Sequence, residues 1–101
     1  MPMYQVPTNV GETIVTSRNQ LLAYHTIAVA PKDGTMTAGT LTVSARAPGS
    51  TVFEAVPDGA IDLAAPKSVL FTFPVAEYKV ELNDFTGTAD TLLLQDTATE
   101  A

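Results

Sequence analysis

Alternating apolar and polar positions run along much of the chain and predict short β-strands. They are clearest between Gly39 and Leu63, around which the other stretches are arranged. The first run of this stretch has one apolar and one polar side, as expected for a strand with one buried and one solvent-facing side. The apolar side consists of Leu41, Val43, Ala45 and Ala47. The clusters Ala47-Pro48-Gly49-Ser50 and Pro57-Asp58-Gly59 then predict two turns between antiparallel strands.

Six further stretches have strand character, and none has the period of a convincing amphipathic helix. These predicted strands are Glu12–Arg18, Leu21–Ala30, Thr35–Ala38, Lys67–Phe73, Glu77–Leu82 and Thr91–Gln95. Gly39 is expected to interrupt the chain as a bulge after Ala38. Residues 83–90 are predicted to form a loop, and residues 97–101 form a small, polar tail.

The longest apolar run, Leu21–Ala30, decides whether the chain contains a helix. It is short, it contains Ile27 and Val29, and a turn signal follows at Pro31. These features favour a strand that is apolar on both faces. With about eight short strands and closely spaced turns, the chain is predicted to be all-β, an antiparallel β-sandwich.

The first ten residues differ from the rest because they carry two prolines and little alternation. Pro2 and Pro7 each lack a backbone donor and have a fixed φ, which excludes a central strand. Residues 1–10 are therefore predicted to be an extended N-terminal arm. Residues 11–101 are predicted to be a single β-sandwich domain, because the whole chain of 101 residues is near the commonest domain size.

The segment Ala76-Glu77-Tyr78-Lys79-Val80 resembles the start of strand F in immunoglobulin-like domains. In those domains a tyrosine precedes an inward-facing residue by two positions. Val80 stands where antibody domains have a cysteine, and the chain contains neither cysteine nor tryptophan. The resemblance implies an immunoglobulin-like sandwich, and it does not imply an antibody or receptor function.

Composition and charge narrow the classes of function. The formal net charge is −6, from five Lys and Arg against eleven Asp and Glu, so direct binding to nucleic acid is not expected. The absence of cysteine excludes disulfides and thiolate metal sites. The N-terminal MPMYQVPTNV has no signal-peptide pattern, and no apolar run is long enough to span a bilayer. Charged residues make up 16%, which suits a protein that meets partners over much of its surface.

No motif indicates catalysis, so the chain is predicted not to be an enzyme and to bind no cofactor. His25 is the single histidine, and it lies inside an apolar predicted strand. It is therefore interpreted as a packed or hydrogen-bonded residue and not as a base or a ligand. None of the serines lies in a nucleophile-elbow motif.

The acidic residues offer two further chemistries, and neither is favoured. A pair of carboxylates could act as a glycosidase dyad. The candidates are Glu54, Asp58, Asp62, Asp84 and Asp90. Asn83, Asp84 and Asp90 could hold calcium through oxygen ligands. Because no loop has the EF-hand pattern, these residues are interpreted as turn residues that face water, and no metal site is predicted.

The aromatic residues give the candidate contacts with a partner. Phe71, Phe73 and Tyr78 alternate with polar residues and are interpreted as core. Tyr4 is the aromatic residue favoured for a partner, since an arm with two prolines has no core in which to bury it. Phe53 is ambiguous, because its strand has apolar residues on both sides. The predicted partner-binding residues are Met3, Tyr4, Val6 and Phe53.

Over its full length the chain resembles the small β-sandwich virion proteins of tailed bacteriophages, such as capsid decoration (cement) proteins. The likeness rests on an acidic, cysteine-free β domain rich in Thr, Ala and Gly, with an initiator Met and a proline-bearing arm. It implies a structural protein, made in the host cytoplasm, that binds and reinforces a lattice of major capsid or other virion protein. A homo-oligomer is expected, and a trimer would suit three-fold lattice positions. The alternative is an immunoglobulin-like module that binds carbohydrate or a host surface, on a tail, a fibre or a bacterial surface protein.

Overall fold

The described part of the chain is built entirely from β-strands and connecting turns. The computed structural model describes residues 3–18 and 20–99, with backbone only at Pro57 and Asp58. Within these residues there are eight strands and no helix, so the all-β prediction is confirmed. The strands are β1 (Met3–Pro7), β2 (Glu12–Thr16), β3 (Tyr24–Pro31), β4 (Ala38–Arg46), β5 (Glu54–Asp62), β6 (Val69–Phe71), β7 (Glu77–Thr86) and β8 (Thr91–Thr99).

The strands form two four-stranded sheets in the orders β1-β8-β3-β6 and β2-β7-β4-β5. All pairings are antiparallel. The pairs β1–β8, β2–β7, β3–β6 and β4–β5 nest inside one another along the chain, which is the strand order of a jelly roll. The predicted sandwich is confirmed. Its strand order differs from the immunoglobulin-like one suggested by Tyr78, because there the first two strands pair within one sheet, whereas β1 and β2 lie in opposite sheets.

The core lies between the two sheets and is filled by the inward sides of their strands. Leu41, Val43 and Ala45 of β4 are fully buried, as their alternation predicts. Tyr78 and Val80 of β7 are buried in the same way. Each fully buried aliphatic or aromatic side chain contributes about 1.5–3 kcal/mol relative to exposure. The inward alternation of the sequence is therefore the main source of stability for the sandwich.

Part of the predicted arm belongs to the sandwich. Residues 3–7 form β1, an edge strand paired with β8 from Met3↔Gln95 to Pro7↔Thr91. Tyr4 is 5% exposed and Val6 is 1% exposed, so this segment does have a core in which to bury them. The prolines correctly excluded a central strand, but an edge strand needs fewer donors and tolerates Pro7. Met1 and Pro2 lie outside the described residues.

The predicted turn at Pro57-Asp58-Gly59 is wrong, because β5 continues through it. The register changes from Thr42↔Ala60 to Ser44↔Ala55, so residues 56–59 bulge from the strand opposite Val43. Beyond the bulge, Ile61 and Leu63 return to the core and are almost fully buried. Burial of these two side chains keeps the chain in the sheet where turn residues alone would have reversed it.

Other strand boundaries differ from prediction because pairing partners were not visible in the sequence. Strand β3 begins at Tyr24, with Leu21 95% exposed, and only its inward side is fully buried. Strand β7 continues through much of the predicted 83–90 loop, since it pairs with β4 as far as Ala38↔Thr86. Strand β8 extends through Thr99 because it pairs with β3 to that point.

The predicted bulge at Gly39 is confirmed. The register between β4 and β7 shifts between Ala38 and Thr40, and Gly39 adopts φ 124°. A side chain is strained at this φ, and a Cβ atom at Gly39 would lie 2.9 Å from the Cα of Phe85.

The substitution Gly39→Ala should therefore lower the free energy of unfolding by about 1–3 kcal/mol. Urea unfolding followed by circular dichroism measures this change. Gly11→Ala is the matched control, since a Cβ atom there meets nothing within 4 Å. Equal stability of the two variants would contradict the strain assigned to Gly39.

Candidate interaction surface

The outward side of the sheet β1-β8-β3-β6 carries no charged side chain among the residues that the structure describes. We call it the uncharged face. The alternating burial of these strands separates its side chains from those of the core. It consists of Met3, Gln5 and Pro7 of β1, Thr91, Leu93, Gln95, Thr97 and Thr99 of β8, Tyr24, Thr26, Ala28 and Ala30 of β3, and Leu70 of β6.

Apolar and uncharged polar side chains are interleaved across this face. Gln95 of β8 lies between Met3 of β1 and Ala28 of β3, and Thr26 lies between Thr97 and Leu70 in another row. Met3, Tyr24 and Leu70 are each at least 40% exposed. Removing such a face from water separates no charge from its hydration shell, so its desolvation costs less than that of a charged face.

The opposite outer face, on the sheet β2-β7-β4-β5, is charged. The Arg46 guanidinium contacts Glu77 Oε1 at 2.6 and 2.7 Å. Lys79 Nζ lies 3.9 Å from Glu12 Oε1 and 4.0 Å from Glu81 Oε1. These groups are partly exposed, so each pair contributes little stability. Their effect is to make the two faces of the sandwich chemically different.

The uncharged face is smaller than a standard interface. Its four strands contain 25 residues, and a rise of about 3.4 Å per residue and a strand spacing of about 4.8 Å give a projected area of roughly 400 Å². A stable complex of standard size buries about 800 Å² on each partner. One copy of this face therefore supports weak binding, which several copies on an ordered partner would strengthen.

A second notable feature is a buried polar cluster of His25, Asp96 and Tyr78. All three side chains are fully buried. His25 Nε2 lies 2.8 Å from the backbone oxygen of Leu22, which can only accept, so Nε2 donates. His25 Nδ1 lies 3.2 Å from both carboxylate oxygens of Asp96, and the Tyr78 hydroxyl donates to Asp96 Oδ2 at 3.3 Å. The cluster thus joins β3 and β8 of one sheet to β7 of the other.

Burial defines what this cluster can do chemically. Burial raises the pKa of Tyr78 far above its ordinary value, and the Asp96 carboxylate raises it further. A histidine beside an aspartate is the arrangement of a general base, but a base must reach its substrate. Because none of the three side chains is exposed, the cluster is structural. The interpretation of His25 as a packed, hydrogen-bonded residue is confirmed.

The structure separates the four residues predicted to bind a partner. Met3 lies on the uncharged face and is 46% exposed. Tyr4 and Val6 lie in the core on the inward side of the same strand, so the premise that Tyr4 has nowhere to be buried is wrong. Phe53 is half-buried near the charged face, where Lys79 Nζ lies 5.3 Å from its ring centroid. Only Met3 contributes to the uncharged face.

The other candidates from the sequence are the acidic residues and the metal ligands among them. No group of three or more His, Cys, Asp or Glu in the described residues is placed to hold a metal ion. Asp90 is fixed by its backbone N–H, which donates to Asp33 Oδ1 at 3.2 Å. The side chain of Asp58 lies outside the described residues. An open cleft of about 560 Å³ lies between β1 and the end of β2, with Tyr4 and Arg18 among its lining residues.

Comparison with family models, curated proteins and solved structures found no match to this chain. In the described part of the chain there is also no helix long and apolar enough to cross a membrane. The geometry and chemistry of its own residues therefore provide the basis for assigning a function.

Sequence reasoning missed Asp96, although a signal for it was present. Leu92 and Leu94 lie on one side of the predicted strand Thr91–Gln95, and Asp96 lies two positions after Leu94, on the same side of the strand. Extending that alternation by two residues would have placed a carboxylate in the core. The uncharged face had no comparable signal, because its residues come from four strands that are distant in sequence.

Asp96→Asn should lower the free energy of unfolding by about 1–3 kcal/mol, because the amide NH2 replaces a buried carboxylate oxygen beside His25 and Tyr78 and leaves a hydrogen bond of the cluster unmade. Glu77→Gln is the control, since it removes the same kind of charge from the partly exposed pair with Arg46 and should cost at most about 1 kcal/mol. Urea unfolding near pH 7 measures both. Similar losses in the two variants would contradict the role of the cluster.

Tyr78 should make the protein lose stability at alkaline pH. Above about pH 10 the unfolded chain releases the Tyr78 proton, while the folded chain, with its raised pKa, retains it. The contribution of Tyr78 to the free energy of unfolding is therefore fully present below about pH 10 and decreases above it, by up to about 1.4 kcal/mol per pH unit. In urea titrations, Tyr78→Phe should flatten this decrease, whereas Tyr24→Phe on the exposed face should not. An unchanged slope in Tyr78→Phe would refute the assignment.

Proposed function

We propose that this chain is a non-enzymatic structural protein of a virion that packs its uncharged face against a protein lattice and reinforces it. Capsid decoration (cement) proteins of tailed bacteriophages are the corresponding class. The observation that carries the proposal is a four-stranded sheet face on which no described residue carries a charge, in a chain of net charge −6.

Charged side chains lie on the opposite outer face, and this distribution supports contact of the uncharged face with a protein instead of solvent. The cores of protein interfaces are depleted in charged residues, because a charge buried there loses its hydration. Met3, Tyr24 and Leu70 supply exposed apolar area, and the threonines and glutamines around them supply hydrogen-bonding groups. The charged face opposite, with its Arg46–Glu77 pair, would remain in water and keep the decorated surface soluble.

The small size of the face fits binding in many copies. An interface below the standard area gives modest affinity for one copy. On a repeating shell, oligomers of the chain would bind through several faces at once, and the effective concentration of the second face would raise the overall affinity. Reinforcement then arises because each bound copy bridges neighbouring lattice subunits.

The fold is compatible with this proposal and with its alternative. Jelly rolls occur in viral capsid proteins, in lectins and in cupins, so the fold by itself does not select among them. The alternative is a module that binds carbohydrate, and Tyr24 favours it, since it is the one exposed side chain among the seven Tyr and Phe residues, all of which are described. Tyr24 lies on a flat sheet face rather than in a cluster of loops. A glycan array on the isolated chain tests this alternative, and the structural proposal predicts no binding.

The structural proposal predicts that the chain copurifies with virions in many copies per particle. Quantitative mass spectrometry of purified particles measures this copy number. A chain that is present in the infected cell but absent from the particles would contradict the proposal.

A pair of lysine variants locates the binding face. Ala28→Lys places a charge at the centre of the uncharged face, and Thr42→Lys makes the same change of net charge on the charged face. Binding to shells that lack the protein should weaken about tenfold or more for Ala28→Lys, because the added charge must be desolvated. Thr42→Lys should bind as the unmodified chain does. Equal binding of both variants would exclude the uncharged face.

A further inference from the structure

Four of the strands that the structure describes lie at sheet edges, and three of these carry features that discourage further pairing. Strand β6 is only three residues long, and β5 is interrupted by the bulge at residues 56–59. The backbone N–H of Thr8 donates to the backbone oxygen of Asp90, which continues the register of the β1–β8 pairing. Even-numbered residues of this segment therefore bond to β8, and the backbone N–H and C=O positions of Met3, Gln5 and Pro7 point to the open edge. Pro7 has no donor there. Short strands, bulges and prolines are the usual means by which proteins block edge pairing.

Strand β2 is the fourth edge, and it has none of these features. Its sequence Glu-Thr-Ile-Val-Thr contains no glycine, proline or lysine, and four of its five residues are β-branched. Ile14 at its centre is 52% exposed. Val15 points inward but is only half-buried, and no strand in the described part of the chain lies on its open side. Strand β2 is therefore open to pairing and has apolar side chains on both of its sides.

The backbone of β2 presents its unpaired groups in a regular order. Leu82 N donates to Gly11 O, and Ser17 N donates to Ala76 O, both at 2.9 Å. These bonds and the β2–β7 register show that odd-numbered residues of β2 bond to β7. The N–H and C=O groups of Glu12, Ile14 and Thr16 consequently point away from β7, along the open edge.

We propose that β2 pairs with β2 of a second copy of this chain, antiparallel about a two-fold axis at Ile14. In this register Ile14 lies opposite Ile14 of the second copy, and Glu12 lies opposite Thr16. Every outward N–H and C=O of the three residues then has a partner, so the edge is self-complementary. A shift by two residues in either direction would leave outward groups unpaired.

The side chains suit the same register. The two Ile14 side chains meet on the outer face, and Thr13 lies opposite Val15, which covers the half-buried valine from the open side. Glu12 of each copy faces a threonine instead of the other Glu12, so no like charges lie directly opposite one another. The net charge of −6 on each copy still repels at long range, so salt should strengthen the dimer.

The two-fold axis determines where the two uncharged faces of the dimer lie. Only the use of these faces for lattice binding rests on the proposed function. Residues opposite each other in an antiparallel pair point to the same side of the sheet. The two-fold axis is therefore perpendicular to the joined sheet β5-β4-β7-β2-β2-β7-β4-β5. Both uncharged faces would then lie on the same side of the dimer, where they could bind one lattice together.

The test is sedimentation equilibrium of the full chain from about 10 μM to about 1 mM, a range that covers weak self-association. A monomer–dimer equilibrium that tightens with salt is expected. Ile14→Lys places two like charges at the two-fold axis and should abolish the dimer, even though it reduces the net negative charge of each copy. Leu70→Lys is the matched control, with the same change of charge on an exposed residue of edge strand β6, and should leave the dimer intact.

A second variant tests the backbone directly. Ile14→Pro removes an N–H that points to the open edge and leaves the bonds of the β2–β7 ladder in place, so it should give a folded monomer. Circular dichroism and urea unfolding verify that each variant is folded. A chain that is monomeric at about 1 mM, or a dimer that persists in folded Ile14→Lys, would overturn the inference whatever the outcome of lattice binding.

Discussion

The contact between Tyr78 and Asp96, extended to His25, is the constraint on which the register of the sandwich depends. It is a polar link through an apolar core, and it joins β7 of one sheet to β8 and β3 of the other. A slip of one residue in any of these strands would turn its member of the cluster toward water and an outward residue into the core. Apolar side chains alone would tolerate more arrangements, because they require shape but no partner. The ring of Tyr78 also packs on those of Tyr4 and Phe71, with centroids 6.1 and 5.6 Å away.

Once the register is fixed, the chemistry of each outer face follows from the alternation of inward and outward side chains along the strands. On β8 the inward positions hold Leu92, Leu94 and Asp96, and the outward positions hold only uncharged side chains. On β7 the outward positions hold Glu77, Lys79 and Glu81. The difference between the two outer faces is therefore already present in the outward positions of single strands. The strand order of the jelly roll then gathers the uncharged outward positions of four strands on one face. That gathering is the basis of the proposed role as a lattice-binding protein.

The local part of this structure could be predicted from sequence, and the long-range part could not. The alternation around Tyr78 and Leu41 gave the correct strands and inward sides, and the bulge at Gly39 followed from glycine within a strand pattern. The predictions failed where pairing outweighed composition, as at Pro57-Asp58-Gly59 and in the first residues of the chain. Tyr4 illustrates the cause. Its burial depends on pairing between β1 and β8, strands at opposite ends of the chain, and no local pattern specifies that contact. The uncharged face is likewise invisible until four distant strands are placed side by side.

Hydroxyl-radical footprinting of the chain, free and bound to virion shells, tests the central claim most directly, because it reports which surface becomes covered. Met3, Tyr24 and Leu70 are exposed, oxidisable reporters on the uncharged face, and Val52 is an exposed reporter elsewhere. Shell binding should protect Met3, Tyr24 and Leu70 from oxidation and leave Val52 reactive. Protection of Val52 together with undiminished oxidation of Met3, Tyr24 and Leu70 would contradict that claim.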